Sequence, residues 1–394
     1  MTRLRRIPIA LAAVLVVPSA LLACGTVVPR IPYLSTAGAF YFPTFAGPFF
    51  VAGLIGAALA FLAARLGARR TGVVFAALGI LTAAVAGVVI ARHASIASAN
   101  GAQVNIFAAL VPRGIDQGAA PDATVTFTRA VNQDLRLDVY RPTTPNGVAP
   151  VAIYIHGGGW IRGDRAQQAA NLRWLADHGY LVVSPDYVLA TEDGATWNTA
   201  SSQIACALTW ITAHATRYGG DANRLFVFGD SSGGALALTT AYAAAAGAAT
   251  SSCGGTVPAV RAVAAQIPAV DPVTFYENPD PALGGVARRM VRQYLGGNPA
   301  EYPERARLVA STTYVTPNAP PTLILLADND HLVPIEGALQ FIDRATQAGV
   351  PLHVVRFPWA DHGVALQYYS VVNQAWLQLM LRHFGRYGAA NGSL

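Results

Sequence analysis

FVFGDSSGGALAL, residues 226–238, passes from bulky residues through a knot of small ones into alanine and leucine. Aromatic and β-branched residues favour a pleated strand, whereas alanine and leucine favour a helix. The knot itself, Gly229-Asp230-Ser231-Ser232-Gly233, is a G-x-S-x-G segment. On a sharp strand-to-helix turn such a segment holds its central serine in a strained conformation, with the hydroxyl exposed at the edge of the sheet. The small flanking residues Gly229 and Gly233 let strand and helix pack closely around that turn. Ser232, next along, can offer its backbone N–H to an oxygen bound in front of Ser231. The motif alone is frequent by chance; a readable strand before it and helix after it give the context it demands.

The same pattern continues along the chain. Apolar runs at 135–140, 151–155, 181–184, 263–267, 322–326 and 352–357 join 225–228 as strand candidates. Helical periodicity fills 167–178, 197–217, 234–246, 335–347 and 363–384. Short buried strands alternating with amphipathic helices predict a mostly parallel sheet with helices on both faces, an α/β fold. Trypsin-like proteases carry a similar Gly-Asp-Ser-Gly-Gly, but their fold is all-β and their catalytic order is His, Asp, Ser. The α/β surroundings exclude that reading.

Sheets of this kind bind ligands at the carboxyl ends of their strands. After 151–155 comes His156-Gly157-Gly158-Gly159-Trp160, whose glycines allow a tight turn that presents backbone N–H groups to a bound oxygen. After 322–326 comes Ala327-Asp328-Asn329-Asp330-His331-Leu332-Val333-Pro334, where either aspartate can orient a histidine or simply cap a turn. After 352–357 comes Trp359-Ala360-Asp361-His362-Gly363. The chain has 8 histidines, and a lone one is more often structural, but His362 sits where it can reach back to the serine. Ser, then Asp, then His, each at a strand end, is the chain order of α/β-hydrolases.

These motifs resemble the hormone-sensitive-lipase-like carboxylesterases and their feruloyl-esterase-like relatives within the α/β-hydrolase superfamily, over about Thr124 to Phe384. Asp186-Tyr187-Val188-Leu189-Ala190-Thr191-Glu192 is similar to that family's Asp-Tyr-Arg-Leu-Ala-Pro-Glu, with Val188 and Thr191 departing from it. Ser232 stands where alanine is usual, and its N–H survives the change. The resemblance implies an α/β-hydrolase fold and a catalytic triad of Ser231, Asp330 and His362, Ala327 taking the glycine place three residues before the acid. It also implies an oxyanion hole from the N–H groups of Gly158, Gly159 and Ser232. His156 and Gly157 then brace the loop, and Gly229 and Gly233 support the turn. No cofactor or metal is expected. The Pro-rich stretch 271–321 is the expected substrate-side insertion.

The first ninety residues are of another kind. The whole chain is 53% hydrophobic and 12% charged, with mean hydropathy +0.38, against about 25% charged residues in an ordinary soluble domain. Most of the excess lies in three apolar stretches, 7–23, 45–64 and 71–91. About 20 apolar residues in a helix span a bilayer. The first stretch is short and also fits a signal-peptide core. Arg3, Arg5 and Arg6 precede the first stretch, and Arg65, Arg69 and Arg70 separate the second from the third; only Arg30 lies between the first and second. The positive-inside rule then puts the N-terminus and the Arg65–Arg70 loop in the cytoplasm. A multi-pass anchor over 1–92, a small-residue linker over 93–123 and a hydrolase domain over 124–394 outside the cytoplasm follow. Leu21-Leu22-Ala23-Cys24 is similar to a lipoprotein cleavage box, which would lipidate Cys24; a plain helix with a buried cysteine is favoured, because such boxes usually have a smaller residue than Leu22. Cys206 and Cys253 can pair in an oxidising exterior or remain two buried thiols.

The net charge of +6 is carried by arginines beside apolar segments, with no basic patch interleaved with aromatics. A lipid membrane is therefore the expected partner rather than nucleic acid. The expected activity is a serine carboxylester hydrolase acting on small-molecule esters, lipophilic ones included. A serine peptidase or amidase of the same fold, and a non-catalytic binding domain, are the alternatives. Substrate acyl length and oligomeric state are not legible in the sequence.

Overall fold

The computed structural model describes residues 2–28, 31–111, 119–130, 133–143, 147–366 and 369–388. Arg30 lies outside the described residues, as do part of the expected linker and the last six positions.

Four helices open the chain: α1 (Thr2–Val27), α2 (Leu34–Tyr41), α3 (Ala46–Arg65) and α4 (Arg69–Ala99). Three of them, over Arg6–Val27, Ala46–Arg65 and Arg69–Ala99, are long and apolar enough to cross a membrane. α3 and α4 pack through small residues. A Cβ added at Gly53 would lie 2.7 Å from the Gly79 carbonyl oxygen, and one at Gly79 would lie 2.7 Å from that of Gly53. Side chains there would push the two backbones apart, and close backbone approach is how helices associate where no hydrophobic force separates lipid from protein. Leu54, Ile55, Phe61, Val73, Val74, Ile80 and Leu81 face outward. Cys24 is exposed on α1 rather than buried.

α4 does not end with its apolar stretch near residue 91. It runs on to Ala99 because Ala94-Ser95-Ile96-Ala97-Ser98-Ala99 holds no helix breaker and its Ile96–Ala97 side packs on the sheet domain. There His93 Nε2–H donates to the Pro358 carbonyl at 2.8 Å, and His353 Nε2–H donates to Asn100 Oδ1 at 3.0 Å. A short helix, α5 (Ile106–Leu110), follows, capped by the Asn105 side chain.

The remaining chain builds one eight-stranded sheet: β1 (Ala123–Ala130), β2 (Gln133–Tyr140), β3 (Ala149–Ile155), β4 (Leu181–Pro185), β5 (Gly220–Asp230), β6 (Ala262–Gln266), β7 (Thr322–Ala327) and β8 (Leu352–Phe357). The spatial order is β1-β2-β4-β3-β5-β6-β7-β8. β1 and β2 are antiparallel to their neighbours; all later pairs are parallel. β1 is an edge strand beyond the seven expected runs. It is only half-buried and carries a bulge between Thr126 and Thr128, which blurs its alternation.

Helices α6 (Ala169–Asp177), α7 (Ala200–His214), α8 (Ser231–Ala245), α12 (Ile335–Gln347) and α13 (Val371–Gly388) cover both faces. Alternation along the strands sorts the core. Val151, Ile153 and Ile155 of β3 join Val227, Val263 and Ile324 on one face, under α7, α8 and α12. Ala152 and Tyr154 join Phe226, Phe228 and Leu323 on the other, under α6 and α13, where Phe226 and Phe384 stack at 4.7 Å. The expected helix over 363–384 is in fact a 3-10 turn over His362–Leu366 followed by α13.

The Pro-rich stretch 271–321 contains α9 (Pro272–Tyr276), α10 (Gly284–Leu295) and α11 (Pro303–Val309). α10 buries Ala287, Met290, Val291, Tyr294 and Leu295 at helical spacing and leaves its arginines outward; the paired glycines at its start and the charges mask that period.

Cys206 of α7 and Cys253, just beyond α8, form a disulfide across 47 residues. The closed loop holds β5, the G-x-S-x-G turn and α8. Closing a loop of that length stabilises by about 4 kcal/mol in the chain-entropy account. Reduction with a phosphine, verified by alkylation of both thiols, should lower the melting temperature by about 8 °C. An unchanged melting curve with both thiols alkylated would show that the cross-link contributes no stability.

Candidate active site

β5 ends at Asp230 and α8 begins at Ser231, so the chain turns within one residue. Ser231 carries that turn with φ 55°, a left-handed conformation that costs an ordinary residue about 1–2 kcal/mol. The two motif glycines answer to close approach of backbone. A Cβ at Gly233 would lie 2.1 Å from the Ile155 carbonyl oxygen, and one at Gly229 would lie 2.6 Å from that same oxygen. Only hydrogen fits at either place, because β3 runs directly beside the turn.

The loops after β7 and β8 bring their residues to the serine. His362 Nε2 lies 2.9 Å from Ser231 Oγ, and His362 Nδ1 lies 2.7 Å from Asp330 Oδ2. A carboxylate can only accept, so Nδ1 carries the proton and donates to Asp330. That leaves Nε2 as the acceptor for the Ser231 hydroxyl. Asp330 is fixed in turn: its Oδ1 accepts from the N–H groups of Leu332 at 3.0 Å and Val333 at 2.8 Å. Asp328 faces elsewhere and accepts from Arg356 Nε at 2.7 Å.

Charge gathers around His362. Burial lowers its affinity for a proton, but the carboxylates of Asp330, Asp361 and Asp230 outweigh burial and raise its pKa above the usual histidine value. Asp230, inside the turn, is wholly buried, and burial drives its carboxyl up to about 6 against the hydrogen bond from Tyr154 and the charge of His362. Tyr154 Oη–H donates to Asp230 Oδ1 at 2.5 Å.

The His156–Trp160 loop lies against the same turn. A Cβ at Gly157 would be 3.3 Å from the Ser231 Cβ. Gly158 and Gly159 have φ 115° and 63°, and among the described residues their N–H groups donate to no protein acceptor. Trp160 anchors the far end: its N–H donates to Ser232 Oγ at 3.3 Å, and its ring stacks on Tyr294 of α10 at 4.3 Å. His156 stacks on Tyr187 at 4.3 Å and Nδ1–H donates to the Gly157 carbonyl at 2.8 Å. α10 roofs the glycine loop, for a Cβ at Gly159 would meet Met290 Sδ at 2.4 Å. Asp186 is held structurally, accepting from Arg165, which also pairs with Asp138.

Two features of the site escape sequence reading. Tyr154, the partner of Asp230, looks like any aromatic strand residue. Asp361 and His331 also form a hydrogen-bonded pair, at 2.6 Å; the repeated Asp-His dipeptide at 330–331 and 361–362 is the only trace of it in the sequence. Among the described residues no group of three or more His, Cys, Asp or Glu is arranged to hold a metal ion.

Residues 137–344, just over half of the 394-residue chain, match the BD-FAE family. The chain belongs to that family. Within the wider set of relatives, Esterase LipC of Mycobacterium tuberculosis is 31% identical over 239 residues, a match covering 58% of this chain and 57% of LipC. The Probable carboxylic ester hydrolase LipM of the same organism is 29% identical over 238 residues, covering 58% of this chain and 53% of LipM. The match therefore spans little more than half the length of these curated relatives. Among solved structures, the apo form of Thermogutta terrifontis esterase 2 has a TM-score of 0.56 at 20% identity, covering 71% of this chain and 100% of that one. The same esterase phosphonylated by sarin has a TM-score of 0.57 at 21% identity, covering 68% and 96%. This BD-FAE chain shares their α/β-hydrolase fold, and its shared part excludes the apolar helices α1, α3 and α4 from the family match.

Asp330→Asn should reduce kcat/KM for an ester by several orders of magnitude, because the amide favours the wrong histidine tautomer. Asp328→Asn should stay within a few-fold of wild type. Steady-state kinetics of the two variants side by side tests the assignment, and the reverse ranking would move the acid to Asp328.

Proposed function

We propose that this chain is a serine carboxylester hydrolase, held at a membrane by residues 1–92 and acting outside the cytoplasm through residues 124–394. The observation that carries the reading is the unbroken hydrogen-bonded relay Ser231–His362–Asp330 at the carboxyl ends of three strands. The names of the curated relatives, esterase and carboxylic ester hydrolase, support it.

In the proposed cycle Ser231 Oγ attacks the ester carbonyl carbon, and its proton passes to His362 Nε2. Asp330 holds the imidazole in the required tautomer and stabilises the imidazolium. The N–H groups of Gly158, Gly159 and Ser232 receive the negative oxygen. Removing one such donor typically costs about 3 kcal/mol of barrier lowering. His362 then returns the proton to the departing alcohol. Water, deprotonated by the same histidine, releases the acid and restores Ser231. The cycle uses no metal or cofactor.

A location outside the cytoplasm is supported by the arginine distribution around the apolar helices and by the Cys206–Cys253 disulfide, which persists in oxidising surroundings. Lipophilic esters are supported by the way the segment between α1 and α3 meets the site. α2 packs on the His362 turn, where a Cβ at Gly363 would lie 2.6 Å from the Phe40 carbonyl oxygen. Thr36 Oγ1–H donates to Asp280 Oδ2 at 2.9 Å. Ile31, Pro32 and Thr36 line a cavity of about 620 Å³ together with Asp330 and His331, and with Asp280, Asp328 and Glu336. A peptidase or amidase reading lacks a comparable supporting feature, and a binding-only domain would have no use for a complete relay.

Wild-type protein should react with a fluorophosphonate probe at Ser231 and hydrolyse p-nitrophenyl esters. Ser231→Ala should lose both while keeping its melting temperature. Folded wild-type protein that neither labels nor turns over esters would sink the hydrolase reading.

A further inference from the structure

We propose that Asp361 and His331 form a second dyad, crossed with the catalytic one, that positions His362 by fastening its loop to the loop of Asp330. The inference rests on the hydrolase reading above. Each of the two loops carries an Asp-His dipeptide, and each donates its acid to the other's histidine. Asp330 of the β7 loop pairs with His362 of the β8 loop at 2.7 Å; Asp361 of the β8 loop pairs with His331 of the β7 loop at 2.6 Å.

Asp361 does more than pair. Its Oδ1 accepts from the backbone N–H of His331 at 3.2 Å and from the N–H of His362 at 2.5 Å. Its carboxylate therefore grips the backbone of the catalytic histidine, the backbone of the neighbour of the catalytic acid and the side chain of that neighbour. The side chain is completely buried, whereas the His331 side chain retains 24% of its exposure. A buried carboxylate is costly unless its oxygens are satisfied, and losing one partner would strand the rest. Adjacent backbone bonds, Asn329 N–H to the Ala360 carbonyl at 2.9 Å and Asp328 N–H to the Phe357 carbonyl at 3.0 Å, extend the β7–β8 pairing only as far as the start of this clamp. Beyond it, the Asp330–His362 pair and Asp361 together tie the two loops.

The second carboxylate also bears on the charge of His362 during turnover. Three acids face that ring: Asp330, Asp361 and Asp230. α2, which packs on the same turn, contributes no charged residue, its sequence being LSTAGAFY. His331 faces Asp361 and Asp280, and it lines the cavity that also borders Asp328 and Glu336. Asp361 takes no proton from the reacting atoms. Burial raises its own pKa against the hydrogen bond from His331, and in its ionised form it favours the imidazolium, so removing that charge should weaken His362 as a base.

The test uses full-length protein with p-nitrophenyl acetate across pH. Asp361→Asn keeps the shape and can still accept both backbone N–H groups, with its amide donating to a neutral His331 Nδ1. It should move the acid limb of kcat/KM to lower pH by about one unit, because His362 then loses its proton more readily. His331→Ala should lower kcat about tenfold with KM nearly unchanged, and His331→Gln, which can still donate to Asp361, should recover most of it. If Asp361→Asn does not fold, as read from its melting curve, the His331 pair decides. An unshifted acid limb in folded Asp361→Asn, or wild-type kcat in His331→Ala, would overturn the dyad. Either result with an active wild type leaves the hydrolase reading intact; an inactive wild type overturns both.

Discussion

The site rests on one backbone constraint: β5 must turn into α8 in a single residue while β3 passes close enough to touch. Ile155's carbonyl comes within bonding range of any side-chain carbon placed at Gly233 or Gly229. Ser231 makes the turn in the left-handed conformation within that crowding. It also fixes what else can happen nearby. With the serine pinned, the loops after β7 and β8 have one place to deliver an acid and a base, and the glycine loop after β3 has one face on which to present N–H groups. Parallel strands end together at one edge of the sheet, so a constraint on β5 becomes a constraint on all of them.

Much of this was legible because local chemistry and global topology agree. Gly229–Gly233 reads as a turn on its own, and its meaning sharpens once the flanking strand and helix are recognised. Each of the seven apolar runs lies inside a strand of the sheet to within one residue, because strands buried on both faces leave a continuous apolar signature. What the pattern hid had physical causes. β1 is an edge strand with one face open, so its signal is weak. α10 reads as charged and Gly-rich, because only one stripe of it touches the core. Asp330 and Asp328 are two residues apart with identical chemistry, and only the path of the β7 loop turns one to His362 and the other to Arg356. Asp361 was least visible of all: its partners are thirty residues away or the backbone N–H of the very next residue, and no spacing rule encodes such a clamp.

The N-terminal helices and the sheet domain are not independent pieces joined by slack chain. α4 carries its helix past the apolar segment and ends on the hydrolase part, held by His93 to Pro358 and Asn100 to His353. The chain beyond it is stitched down as well, with Gln378 Oε1 accepting from the Gln103 N–H and Gln374 Oε1 from that of Asn105. α2 meets the His362 turn from the other side. His362 thus sits between the sheet and the segment that joins α1 to α3, and its burial depends on both.

α4 has a consequence for how such a protein would meet its substrates. Its 31 residues make a rod of about 46 Å, longer than the hydrocarbon of a bilayer by several turns. On the membrane reading, those extra turns act as a pedestal of set height. Ser231 would then not wander on a tether but stay at one height from the lipid surface. Encounter then becomes a search in a plane instead of a volume. Esters that share that plane would then be sampled continually.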